Sequence, residues 1–299
     1  MTRLTRRRLS VSLVTGLVAL APAAAGGAGD TVVATVPGVG HLSAYRGVTA
    51  WLQVVGDQAR VSYMRNGIIR ELPGSFPGAD PDLGPSRNGR SVVLVLSRCG
   101  RDGCVVTSTD TRSGKTVRVH GLGELRCAAL VSPSTWRGTI VVAGERCGRN
   151  AVDGLYVRGR AGRTRRLLRL VSGSFSETDV DRAHAVVTDS GDSSVRVVDL
   201  RTGRSRIVWQ GEESASFSDA PRSPALDGGI VVWLESSGGV GLPFEQWLGT
   251  APATVHPRKA CARRQLPAVN RAIAVASRRL LYATADAILR QAGTLHCRI

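Results

Sequence analysis

The chain has 299 residues, 40 basic and 23 acidic side chains, a formal net charge of +17, and 42% hydrophobic but only 4% aromatic content. With 21% charged residues this is the composition of a folded globular protein, and it excludes a disordered or collagen-like chain. The length buries a large core without help from cysteines, and no stretch past the N-terminus reaches the roughly 18 apolar residues of a membrane span.

Residues 1–25 read as an export signal. Arg3, Arg6, Arg7 and Arg8 make a positive n-region, Leu9 to Leu20 is short and apolar, and Ala21-Pro22-Ala23 or Ala23-Ala24-Ala25 offers a cleavage site. The run Thr5-Arg6-Arg7-Arg8-Leu9 is similar to a twin-arginine signal, so the general secretory and twin-arginine routes both stay open. Either predicts an extracellular or cell-envelope protein with no span in the mature chain. Removing the signal takes away four arginines and no acid, lowering the charge from +17 to +13. The remaining basic residues, nearly all arginine, are spread along the chain and densest over Arg158 to Arg169. A nucleic-acid binder gathers such residues on one face or tail, so no nucleic-acid partner is expected. A general arginine preference on solvated strands accounts for the spread, and +13 attracts anionic wall polymers weakly.

Residues 26–36 contain the strand Thr31 to Thr35, which serves as a lead-in or as a closing strand for the last repeat; the lead-in is favoured, because that repeat reads as having four strands of its own. From residue 37 to 299 the pattern is periodic. Gly47 to Trp51, Ser91 to Val95, Gly138 to Val142, Ala183 to Val187, Gly229 to Trp233 and Arg278 to Tyr282 are short β-rich runs behind turn-like stretches. Their last residues lie 44, 47, 45, 46 and 49 positions apart. Apolar runs of this length bounded by Gly, Asn and Ser are buried strands, and a period of about 45 residues predicts a β-propeller. The expected fold is all-β: one six-bladed β-propeller of four-stranded antiparallel blades. In the fourth unit, Ala185 to Thr188 and Ser194 to Asp199 are its second and third strands. Leu200 to Gly203 then turns into Ser205 to Trp209, and the second unit repeats the turn at Asp110 to Gly114. Gly238 to Pro257 makes the fifth unit irregular.

The segment Gly84-Pro-Ser-Arg-Asn-Gly89-Arg-Ser-Val-Val93 resembles the Ser-Pro-Asp-Gly-Lys turn and strand of TolB-type, WD-like propeller repeats. Ser132-Pro133, Ser223-Pro224 and Asp227-Gly228 resemble weaker copies, and the turns with Ser113-Gly114-Lys115 and Thr202-Gly203-Arg204 match as well. Blades one and six lack the turn. The resemblance implies a secreted bacterial propeller of uncertain function, with protein interaction and envelope scaffolding as the usual roles. It carries fold more than function.

Six cysteines in an exported chain predict disulfides. The repeat frame pairs Cys99 with Cys104 across a second-to-third loop, and Cys127 with Cys147 between the entry to blade three and that blade's loop. It pairs Cys261, at the entry to blade six, with Cys297, placing all six on one rim. No second pair of ligands accompanies Cys99 and Cys104, so no metal is assigned.

Catalytic signatures are missing. There is no Gly-x-Ser-x-Gly elbow, and Ser113-Gly114-Lys115-Thr116 has Thr109 where a phosphate loop has glycine. His41, His120, His184, His256 and His296 fall at unrelated phases. No catalytic residue and no cofactor is assigned. One motif recurs: Ser172-Gly-Ser-Phe-Ser-Glu177, Ser214-Ala-Ser-Phe-Ser-Asp219, and more faintly Gly74 to Phe76 followed by Asp80 and Asp82. All lie in blade-to-blade connections. Phe76, Phe175 and Phe217 either wedge neighbouring blades apart or line the channel mouth with Asp80, Glu177 and Asp219, where an acidic, aromatic site takes a cationic peptide, sugar or metal. The reading is a monomeric, non-catalytic binding module for another envelope protein or a wall polymer. The alternative is a carbohydrate-active hydrolase or lyase working at that mouth.

Overall fold

The computed structural model describes residues 30–295 apart from 101–102, 148–151, 171–175, 190, 212, 215–216, 219, 238–244, 255–260, 262–263, 267–271 and 293. The export signal, Phe175, Asp219 and Cys297 lie outside the described residues. Six four-stranded antiparallel sheets form a six-bladed β-propeller. From innermost to outermost, blade one is Val39–Tyr45, Val48–Val55, Gln58–Arg65 and Ile68–Glu71. Blade two is Asp82–Pro85, Val92–Gly100, Gly103–Asp110 and Thr116–Val119, and blade three is Cys127–Trp136, Thr139–Cys147, Gly154–Arg158 and Thr164–Arg169. Blade four is Thr178–Asp181, His184–Asp189, Ser194–Asp199 and Ser205–Gln210; blade five is Ala220–Asp227, Ile230–Ser237, Glu245–Pro252 and Arg264–Leu266. A two-stranded hairpin, Glu213–Ser214 with Phe217–Ser218, precedes blade five.

Blade six corrects the favoured lead-in. The C-terminal part supplies Ile273–Ala276, Arg279–Ala283 and Ala287–Arg290, and the outermost strand is Thr31–Thr35, with Thr31 opposite Arg290 and Thr35 opposite Ala287. The ring therefore closes through its N-terminal strand.

The second strand of every blade is the periodic run of the sequence, and its packing explains why it is apolar throughout. Successive side chains point to opposite faces, and in a propeller both faces are covered by a neighbouring blade. Ile140 and Val142 pack toward blade two, whereas Val141 and Ala143 pack toward blade four. Ala185 and Val187 face blade three, and Val186 faces blade five. The core is divided in this way among the blade interfaces.

Turns close the blades as their residues require. Asp110 Oδ1 accepts from the N–H groups of Arg112 and Ser113 at 3.0 and 2.9 Å, and Asp199 Oδ1 accepts from those of Arg201 and Thr202 at 3.0 and 2.7 Å. Each loop ends on a glycine with positive φ, Gly114 at 73° and Gly203 at 74°. Burial pulls Asp110 up, but hydrogen bonds from Ser91, Ser113 and Arg112 hold it below the usual carboxylate range; Asp199 is held down by the Thr202 N–H first.

Antiparallel order puts the first-to-second and third-to-fourth turns on one face, called here the turn face. The second-to-third loops and blade-to-blade connections lie on the other, the mouth face. Disulfides Cys99–Cys104 and Cys127–Cys147 are formed as expected, both at the mouth face. Cys261 is also disulfide-bonded, but it lies between the third and outer strands of blade five, its N–H on the Thr250 carbonyl at 2.9 Å. That position is on the turn face, so the cysteines do not share one rim. The outer strand of blade five follows Cys261 rather than preceding it, which the irregular spacing of that blade concealed.

Candidate functional site

The innermost strands line a central channel, and three of them bulge. Register shifts fall between Val39 and His41 in blade one, Val131 and Ser134 in blade three, and Arg222 and Ala225 in blade five. In the last two the extra residues are Ser132-Pro133 and Ser223-Pro224, with the serines at φ 45° and 47°. These pairs are therefore bulges inside strands, a correction to their reading as turns ahead of strands. Proline has no N–H to give the ladder, and a bulge is where a strand tolerates it.

Each serine bulge is gripped by an acidic-x-aspartate pair on the preceding blade. Asp80 accepts from the Ser132 hydroxyl, and Asp82 Oδ2 from the Thr135 N–H at 2.9 Å. Glu177 accepts from the Ser223 N–H, and Asp179 Oδ2 from the Leu226 N–H at 2.6 Å. Ser43 of blade one donates to Asp82 Oδ1 at 2.8 Å and accepts the Leu83 N–H at 3.0 Å. Ser132 Oγ accepts the Thr178 N–H at 2.8 Å, joining blade three to blade four. The channel wall from blade one to blade five is thus stitched by side chains to backbone. Removing one partner leaves a buried group unsatisfied, at a cost of about 1–3 kcal/mol.

At the mouth the remaining carboxylate oxygens converge on one imidazole. His41 Nδ1 is 3.3 Å from Asp80 Oδ1 and 3.9 Å from Glu177 Oε1; the three side chains are 28%, 21% and 23% exposed. Burial opposes the His41 charge, but Asp80 and then Glu177 outweigh it and raise its pKa to about 9. Deeper in the channel, burial pushes Asp82 up to about 7 and Asp179 well above the usual range; Glu177 is raised by burial and by Asp80. The channel here encloses about 50 Å³, room for a few waters. Among the described residues no group of three or more His, Cys, Asp and Glu is arranged to hold a metal ion.

The recurrent motif is only partly realised at this mouth. Asp80 and Glu177 meet there as expected. Phe76 does not line it: the ring is 6% exposed inside the core between blades one and two, with the Arg98 guanidinium 5.3 Å above it. Burial of its apolar ring favours this wedge position over the wet mouth. Phe217 sits in the short hairpin before blade five. From the sequence, Asp82 is named beside Asp80 without a role, and none of His41, Asp179 and the two bulge serines is placed at the site. The acidic-x-aspartate pairs Asp80-Pro-Asp82 and Glu177-Thr-Asp179, each at the start of an inner strand, were the signal for the carboxylates.

A pH dependence follows. His41, Asp82, Glu177 and Asp179 all have folded pKa values above their unfolded ones, so each stabilises the fold most when protonated and loses that contribution as pH rises. The Asp82 contribution disappears as pH climbs from about 4 through about 7, and that of His41 between about 6.5 and about 9; Glu177 and Asp179 act in the same direction. Thermal midpoints should fall steadily from pH 5 to pH 9, and His41→Asn should flatten the upper half. An imidazole resonance for His41 that titrates near 6.5 would overturn this.

No family model and no curated protein matches the chain. Solved structures do. A putative gluconolactonase aligns at TM-score 0.56 and 11% identity over 88% of this chain and 92% of its own. An auxiliary nutrient binding protein from Bacteroides thetaiotaomicron aligns at 0.52 and 9%, over 86% and 69%. TolB from Acinetobacter baumannii aligns at 0.50 and 15%, over 73% of this chain but only 52% of TolB. These likenesses show the propeller fold and nothing finer.

Proposed function

We propose that the protein is an exported, non-catalytic binding module of the cell envelope whose channel mouth takes a cationic peptide group. The observation that supports it is the convergence of Asp80 and Glu177 on His41 at a partly exposed opening. Asp80 and Glu177 offer carboxylate oxygens to a lysine or arginine side chain, beside the His41 imidazolium and with Arg222 acting on Glu177. Export is supported by the N-terminal segment and the disulfides, which persist in oxidising compartments. Among the described residues no helix is long and apolar enough to cross a membrane.

A carbohydrate hydrolase fits less well. A histidine held protonated at neutral pH is no general base. Thermal unfolding in the presence of lysine- or arginine-bearing tripeptides, neutral wall sugars or divalent metals separates these readings. A cationic peptide should raise the midpoint with the logarithm of its concentration, and the Asp80→Asn, Glu177→Gln variant should lose the shift. A shift with a neutral sugar, or one with the peptide that survives in the variant, would sink the proposal.

A further inference from the structure

The arginines that look scattered along the chain are sorted by the fold. Among the described residues, basic side chains outnumber acidic ones several-fold on the turn face, and the balance reverses on the mouth face. The inner turns alone place Arg46, Arg87, Arg137, Arg182 and Arg278, all exposed, around the turn-face opening of the channel. Four of these sit at positive φ, Arg46 at 47°, Arg137 at 49°, Arg182 at 52° and Arg278 at 58°, where local preference would put Asn or Gly. An arginine-rich composition supplies arginine anywhere, but it does not choose a face. Of the acids nearby, Asp110 and Asp199 are held by their own turns and Asp227 by the Arg278 N–H at 2.8 Å, while Asp181 is buried at 7% exposure beneath the groove surface.

Between blades three and four this face opens into a groove of about 440 Å³, within the size range of ligand pockets. Arg163, Arg165, Arg182 and Arg201 line it, no acid does, and Val157, Ala183 and Leu200 give it an apolar floor. Arg165 is braced by the Leu200 and Arg201 carbonyls, whereas Arg182 is 76% exposed, 3.8 Å from Asp181. Guanidinium forks match phosphate oxygens in pairs, and a floor of small apolar groups suits the carbon backbone between phosphates.

We infer that this groove binds a linear phosphodiester polymer of the envelope, a polyol phosphate chain, with the inner-turn arginines extending the track. The choice of an envelope polymer rests on the export reading above; the groove does not depend on what occupies the opposite mouth. The test is binding of fluorescent poly(glycerol phosphate) to the mature protein at several salt concentrations. Its comparators are polyglutamate and a single-stranded oligonucleotide of equal charge.

The wild type should prefer the polyol phosphate, with affinity falling as salt rises. Arg163→Ser, Arg182→Gly and Arg201→Ser together should weaken binding at least tenfold and flatten the salt dependence. The thermal midpoint should hold, because glycine fits the backbone of residue 182. The mouth-face variant that removes the same number of charges, Arg60→Ser with Arg70→Ser and Arg126→Ser, should bind as the wild type does. Equal loss in both variants, or polyglutamate binding as tightly, would overturn the groove as a phosphate site. Tighter binding of the oligonucleotide would overturn the envelope polymer as its occupant, a result that a failure of export by itself would not produce.

Discussion

A chain beginning at Pro37 is expected to unfold at markedly lower urea than the full mature protein, and to self-associate. Truncation removes Thr31–Thr35 from the outside of blade six, with buried Ala34 and Val36 and the Val36 N–H bond to Asp286 at 2.8 Å. Taking roughly 100–150 Å² of apolar surface from that interface costs about 3 kcal/mol. It also bares Ala287–Arg290 as an edge strand, and an unpaired edge recruits other chains. Urea titration and light scattering read the two effects. An unchanged midpoint and a monodisperse truncated chain would show that the closing strand contributes nothing.

Gly84→Ala should be comparably severe for a different reason. The innermost strands of blades two and three approach so closely that a Cβ at Gly84 would lie 1.9 Å from the Thr135 carbonyl oxygen. Backbone has no rotamer to change, so the strands must separate, and the Thr135 N–H would be pulled from Asp82. The expected loss is about 3 kcal/mol or more, with a midpoint lower by roughly 6–10 °C. Gly100→Ala, with nothing within 4 Å of its added methyl and no positive φ, should be close to neutral and serves as the control. Equal midpoints for the two variants would refute the close approach.

The blade count and the second strands were legible because burial on both faces writes a continuous apolar run, as in Val141 to Ala143 and Ala185 to Val187. Local hydrogen bonding wrote the turns at Asp110 to Gly114 and Asp199 to Gly203 just as clearly. The disulfides Cys99–Cys104 and Cys127–Cys147 followed once strands were assigned to faces. Where regular spacing failed, in blade five, the placement of Cys261 failed with it.

What the sequence by itself determined is whatever depends on neighbours along the chain: strand periodicity, turn chemistry and the six-fold repeat. Ring closure was decided only in three dimensions, because Thr31–Thr35 finds its partner at the opposite end of the chain. The channel mouth is of the same kind: His41, Asp80 and Glu177 belong to three different blades and meet only when the ring closes. So does the sorting of arginine between faces, since alternating strand direction, not sequence proximity, sends successive turns to opposite sides.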